Sequence, residues 1–259
     1  MKHTAKTIVI FLFTLFFMTT GVFAQQTVRI GTEGAYPPFN YIDRDGKLQG
    51  FDIEIAQALC DAANMKCTFV TQSWDGMIPA LLARQYDAII ASMSITEERK
   101  QRVDFTDKYY QTPARFVTKK DAGIEISKEG LRGKTVGVQR ATVSANFIND
   151  NFSDVMTIRS YATQEEANMD IASGRLDLLF ADAVVLQNGF LETAPGKNYE
   201  FVGPSYTDEA WFGEGIGIAL RKGEDDLRKA FNEAIQTIRK DGTYQEINDK
   251  YFDFDVYGD

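Results

Sequence analysis

The chain has 259 residues, 44% of them hydrophobic and 25% charged, with a formal net charge of −9. That length accommodates one large or two ordinary domains, and the composition excludes a disordered or fibrous protein. The acidic balance argues against a nucleic-acid partner, because nothing would neutralise phosphates broadly.

Residues 1–24 read as a separate segment. Lys2 and Lys6 form a basic start, a mostly apolar run extends from Ile8 to Met18, and small residues lead to Ala24. This is the layout of a secretory signal cleaved near Ala24. The run is short for a membrane span, so no membrane insertion is expected after cleavage. Cleavage removes Lys2, Lys6 and the single histidine, His3, leaving 28 − 2 = 26 basic against 37 acidic residues, a charge of −11. Without histidine, Ser-His-Asp hydrolysis and His-ligated metal sites are excluded, and neither cofactor nor metal is expected.

The exported chain then alternates strands and helices. Thr27–Thr32 reads as a strand. Asp43-Arg-Asp-Gly46 is a turn between two short extended pieces. Asp52 is expected to cap a helix with apolar positions at Ile53, Ala56, Leu59, Cys60 and Ala63. Cys60 and Cys67, an even count in an exported chain, read as a structural disulfide; their spacing is not that of a CxxC redox pair. A strand from Cys67, a helix from Asp75 to Arg84 and a buried strand Asp87–Ala91 follow.

After Arg132 the pattern restarts. Strands are expected at Lys134–Val138, Met156–Arg159 and Leu176–Ala181, with helices from Thr142 to Ile148 and Gln164 to Ser173. Leu81–Ser92 aligns without gaps on Ile171–Asp182, an architectural echo. Gly215–Leu220 is one more strand, and helices run from Asp225 to Arg239 and Tyr244 to Tyr251. Two α/β units with mainly parallel sheets are implied, divided near Gln111–Arg115.

Ligands of open parallel sheets bind beyond the carboxyl ends of strands, and the echo puts Ser92 and Asp182 at that edge, one in each unit. Ser94-Ile-Thr-Glu97 reads as a capping box, with Arg99 in the first turn of its helix. A cation there opposes the helix dipole unless an anion is bound; otherwise Arg99 is a solvated partner of Glu97 and Glu98. Asp182 caps the helix Ala183–Phe190, or faces the cleft and requires a cation. Glu33, Tyr36 and Trp74 leave strand ends as an acid beside two flat rings. That set suits a planar or elongated cation, or else is core aromatics with a surface acid.

The whole exported chain resembles the periplasmic solute-binding proteins for polar amino acids of ABC import systems, in the branch for lysine, arginine, ornithine and histidine. The resemblance is carried by Gly31-Thr-Glu-Gly-Ala-Tyr-Pro-Pro-Phe39, Gly50-Phe-Asp-Ile53, Asp87-Ala-Ile-Ile90, Ser92-Met-Ser-Ile-Thr96 with Arg99, Ser173-Gly-Arg-Leu-Asp177, Asp241-Gly-Thr-Tyr244 and Lys250-Tyr-Phe-Asp-Phe-Asp-Val-Tyr-Gly258. Val103–Arg115 looks most like arginine/ornithine-binding members. The resemblance implies a two-lobed periplasmic binding protein fold of class α/β, each lobe a mainly parallel sheet flanked by helices, joined by two hinge strands. Lobe one is expected at 25–110 plus 216–259, lobe two at 115–207, and the hinges at 111–114 and 208–215.

It further implies a monomeric, non-enzymatic periplasmic protein that binds a basic L-amino acid and delivers it to an inner-membrane ABC permease. Arg99 with Thr142, Val143 and Ser144 would take the ligand carboxylate. Asp182 and Ser92 would take the ammonium, with Ser94 in support. Tyr36 and Trp74 would sandwich the side chain, Glu33 would meet the distal cation, and Ala91 and Gln139 would complete the lining. Four positions depart from the branch: Val143 for a threonine, Ala91 for a serine, Glu33 for a shorter aspartate, and Trp74 for a smaller side chain. The larger ring favours a guanidinium, so arginine is the first expectation. The other readings of this pattern are an enzyme of the same fold, resembling cyclohexadienyl dehydratase, and a sensory binding module.

Overall fold

The computed structural model describes residues 25–258; the expected signal segment lies outside them. From the N-terminus, β1 (Gln26–Thr32) precedes a small antiparallel unit of β2 (Ala35–Tyr36), β3 (Asn40–Ile42) and β4 (Leu48–Gln49). Next come α1 (Phe51–Ala62), β5 (Met65–Thr71), a 3₁₀ turn at Trp74–Gly76, α2 (Met77–Leu82), β6 (Ala88–Ile89), α3 (Glu97–Lys100) and β7 (Val103–Tyr110). The chain then crosses to β8 (Ala114–Lys119), β9 (Thr135–Gln139), α4 (Val143–Phe152), β10 (Thr157–Tyr161), α5 (Gln164–Ala172), β11 (Leu178–Asp182), α6 (Ala183–Leu186) and β12 (Tyr199–Tyr206). A short α7 (Glu209–Phe212) leads back to β13 (Ile216–Arg221), α8 (Asp225–Asp241) and α9 (Thr243–Tyr251).

Two five-stranded sheets result, ordered β5-β1-β6-β13-β7 and β10-β9-β11-β8-β12. β1 pairs in parallel with β5 and β6, and β9 with β10 and β11. β13 and β8 run against both of their neighbours. Each sheet buries apolar side chains on both faces. On the first sheet, one cluster joins Val28, Ile30, Phe51 and Leu59 to Phe231, Ile235 and Ile238, and another gathers Met77, Leu81, Ile89 and Val103. On the second, Phe116, Val136, Phe147 and Phe180 cover one face, and Val117, Ile171, Leu179 and Phe190 the other. Each such side chain contributes roughly 1.5–3 kcal/mol on burial. The α/β class expected from the sequence is therefore the one observed, but neither sheet is mainly parallel: each divides evenly into two parallel and two antiparallel pairings, because β13 and β8 enter against their neighbours.

Local chemistry explains the element ends. α8 carries Asp225 and Asp226 in its first turn and Arg239 and Lys240 in its last, as the dipole favours, and Gly242 ends it at a left-handed φ of 91°. The echo holds at atomic level. Arg84 and Gly174 are both left-handed, at φ 59° and 74°. Gln85 N donates to Ala80 O as Arg175 N does to Asp170 O, and Asp87 N to Arg29 O as Asp177 N does to Thr135 O.

Several expected boundaries change. Gly50, at φ 122°, is the N-cap of α1, and a side chain there would meet the Phe39 carbonyl at 2.3 Å. Asp52 is thus inside the first turn and fully buried rather than a cap. Thr96, not Ser94, caps α3 by accepting from Arg99 N. The helix expected from Asp75 to Arg84 starts as the 3₁₀ turn, and the one from Ala183 to Phe190 becomes π-helical from Gln187.

Cys60 and Cys67 are bonded, tying the end of α1 to β5. The bridge removes loop-closure freedom from the unfolded chain. Replacing both cysteines with alanine is expected to lower the unfolding free energy by about 2–3 kcal/mol, read as a reduced urea midpoint with a native circular-dichroism spectrum. An unchanged midpoint contradicts that role.

Candidate functional site

The carboxyl ends of both sheets open onto one cavity. Glu33, Tyr36, Trp74, Ala91, Ser92, Ser94 and Arg99 line it from the first sheet's side, and Gln139, Thr142, Val143, Ser144 and Asp182 from the second's. Every site residue named from the sequence is therefore in the same place. The first crossing adds Gln111 and Thr112, and the second adds Thr207, Phe212 and Gly213.

Arg99 sits in α3, and the fold anchors it through carbonyls instead of acids. Its Nη1 donates to Ser94 O at 3.0 Å and its Nη2 to Ala141 O at 3.4 Å, across the cleft. Its guanidinium also lies 5.3 Å from the Trp74 ring centroid. The indole is thus already beside a cation of the chain, and its Nε1 donates to Ala141 O at 3.0 Å. Burial pushes Arg99 down to about 10. A guanidinium has five N–H donors, so more remain for the cavity. Beside it begins α4, capped by Thr142, whose hydroxyl accepts from Ala145 N and donates to Gln139 O. The positive end of α4 and the arginine thus line the same side of the cavity.

Two acids form the opposite poles. Asp182 ends β11 and caps α6, where Oδ1 accepts from Val184 N at 2.8 Å and Val185 N at 3.1 Å. Its Oδ2 accepts from the Thr112 hydroxyl. Asp182 is thus the cap of α6 and at the same time lines the cavity. Burial raises it to about 6 against these hydrogen bonds. Glu33 follows β1 and accepts from Gln139 Nε2 of the other sheet at 2.7 Å. Burial, aided by the charge of Asp75, lifts it to about 7 despite that bond.

Among the described residues, Arg99, Asp182 and Glu33 form no ion pair. A sequestered charge without a counter-charge is costly. The cavity therefore holds one arginine and two acids without an ion-pair partner, and desolvation pushes both acids toward their neutral form. Outside it, Arg140 bridges the sheets to Asp75 at 2.6 Å.

Sequence reasoning missed the layer behind this wall. Ser92, left-handed at φ 56°, does not offer its hydroxyl proton to the cavity; Oγ donates to Asp52 at 3.0 Å. Asp52 also accepts from Asn40 at 2.8 Å and Tyr109 at 2.7 Å, and burial raises it to about 6. The available signal was the charged residue inside an otherwise apolar Gly50-Phe-Asp-Ile53 stretch.

Residues 28–254 match the bacterial extracellular solute-binding proteins, family 3, and the chain belongs to that family. It is 50% identical over 236 residues to the L-arginine-binding protein of Pseudomonas aeruginosa, covering 91% of each chain. It is 44% identical over 246 residues to the histidine-binding periplasmic protein of Escherichia coli, covering 94% of this chain and 95% of that one. Among solved structures, a Salmonella typhimurium periplasmic binding protein described as highly arginine-specific superposes with a TM-score of 0.81 at 32% identity, covering 88% of this chain and 99% of the other. These relatives are binding proteins, and no helix among the described residues is long and apolar enough to cross a membrane.

One buried acid, Asp52, and two half-buried ones, Glu33 and Asp182, set a pH dependence. Glu33, Asp52 and Asp182 bind protons more tightly folded than unfolded, so their contribution to stability is present at low pH and lost as pH rises through their folded values. Acids held down by arginine neighbours, such as Asp75, Asp87 and Asp170, act in the opposite sense but only below about pH 4. From about pH 5 to 7 the urea midpoint is expected to fall, and Glu33→Gln to flatten the upper part of the slope. A midpoint that rises through this window contradicts the raised values of these groups.

Proposed function

We propose that this protein is the periplasmic solute-binding component of an amino-acid ABC importer, taking L-arginine, and also ornithine and lysine, and delivering it as a monomer to an inner-membrane permease. The observation that carries the reading is the set of uncompensated charges: one guanidinium and two carboxylates in one cavity, with no ion-pair partner among the described residues. An amino-acid zwitterion with a cationic tail supplies one carboxylate and two cations, and so complements all three. A neutral sugar complements none.

In this reading Arg99 and the start of α4, with Thr142, Val143 and Ser144, hold the ligand carboxylate. Asp182 and Ser92 hold the ammonium, and Ser94 supports Arg99 through its carbonyl. Tyr36 and Trp74 flank the tail, Glu33 meets its charge, and Ala91 and Gln139 complete the wall. The side chain of Trp74 also packs on Arg99, so it serves two poles at once. Residues 25–110 with 216–259 form one lobe and 115–207 the other, and the crossings at 111–114 and 208–215 act as hinges. Closure brings the acid and base poles together, and the ligand favours it because only the closed form touches it from both sides. The relatives' names support the ligand class and a periplasmic location, and cleavage near Ala24 is taken from the residue pattern of the first 24 positions.

The enzyme alternative has less behind it. The sequence has one histidine, His3, in the signal segment, and the relatives reported above are binding proteins.

Titration calorimetry with L-arginine, L-ornithine, L-lysine, L-histidine and L-glutamine tests the reading, with heat expected from the first three and arginine tightest. Silence from all three rejects the ligand class. Arg99→Ala and Asp182→Ala are each expected to weaken arginine binding by at least about 100-fold, since each leaves a sequestered ligand charge without its partner. Near-normal binding by either variant rejects the assigned roles.

A further inference from the structure

We propose that Asp52, a carboxylate one layer behind the cavity wall, is a positioning residue that selects for an ammonium group in the ligand by acting through Ser92. The inference rests on the ligand reading above and deepens it.

Asp52 has no accessible surface, and among the described residues it pairs with no cation. Three donors converge on it: Asn40 Nδ2 and Ser92 Oγ on one oxygen, Tyr109 Oη on the other. The orientation of Asn40 is fixed, because its Oδ1 accepts from Gly34 N at 2.8 Å, which leaves its amino group facing Asp52. The carboxylate is therefore held as a pure acceptor.

This has a consequence at the cavity. A serine hydroxyl carries one proton and two lone pairs. With its proton committed to Asp52, Ser92 can present only lone pairs to whatever occupies the cavity. An ammonium N–H meets such an oxygen well, whereas an acceptor group does not. The negative charge behind Ser92 favours the same cation, and Asp182 lines the same cavity. Tyr109 belongs to β7, immediately before the first crossing, and its carbonyl accepts from Tyr244 at 2.7 Å. The arrangement is thus braced against the strand that leads between the sheets.

The test compares L-arginine with 5-guanidinopentanoate, which lacks the α-amine, by calorimetry on the wild type and on Asp52→Asn. The variant keeps the size but turns an amide hydrogen toward one of the donors. Arginine affinity is expected to fall by at least about 10-fold while that of the deaminated compound changes by less than about 3-fold, so that discrimination shrinks. Asp52→Asn should add nothing further in a Ser92→Ala background. Equal loss for both ligands marks a merely structural role and overturns the proposal, as does unchanged arginine binding. If Asp52→Asn does not fold, Asn40→Ala and Tyr109→Phe, each deleting one donor to the carboxylate, are compared in the same way, with selective loss supporting the proposal and equal loss overturning it. Wild-type protein that binds neither compound overturns the ligand reading, and this one with it; binding of arginine with no selective effect of the variants overturns this one alone.

Discussion

The arrangement depends on charges that the chain sequesters and does not pair with one another. Arg99 is anchored by two carbonyls, Asp182 by two backbone N–H groups and a hydroxyl, and Glu33 by one amide. Each is positioned by neutral dipoles, which fix geometry without cancelling charge. Had Arg99 met Asp182 directly, the cavity would be a buried salt bridge, adding little stability and recognising nothing. Instead no ion pair among the described residues cancels these charges, and the same neutral contacts join the two sheets around the cavity. The Ala141 carbonyl shows the economy of this: one left-handed residue in the second unit receives both Trp74 and Arg99 from the first.

Much of this was legible in the amino-acid order. Strand alternation gave the two units, because buried parallel strands such as Ile89 with its neighbours and Leu178–Ala181 are continuous apolar runs that little else produces. The echo between Leu81–Ser92 and Ile171–Asp182 placed one cavity residue in each half, and the backbone bonds repeat it closely. Arg99 stood out because a cation in the first turn of a helix is unfavourable on its own. The family resemblance then supplied roles that residue chemistry alone left open, notably for Ala91, Gln139 and Ser144.

The remainder was hidden for physical reasons. Asp52 sits where a helix cap is ordinarily found, and only Gly50, forced by the close Phe39 carbonyl, moves the cap back and turns the acid inward. The contact of Trp74 with Arg99 joins residues 25 positions apart, on separate elements, so no local pattern encodes it. Thr112 reaches Asp182 from the first crossing, where a short irregular segment gives no periodicity to read. α7, in the second crossing, is only four residues long and is held by Trp211 and Phe212 packing on Phe147, a tertiary effect.

The discontinuity of the first sheet bears on how the molecule assembles. β13 lies between β6 and β7, yet it is encoded more than 100 residues after both, whereas the second sheet draws only on the uninterrupted stretch from Ala114 to Tyr206. A chain emerging N-terminus first therefore has all the strands of the later sheet in hand before the earlier one can fill its gap. The N-terminal half waits, with an open slot in its middle, for a strand that arrives almost last. Such long-range closure is slow, and it makes the final fifth of the polypeptide the part whose arrival commits the whole to its native form.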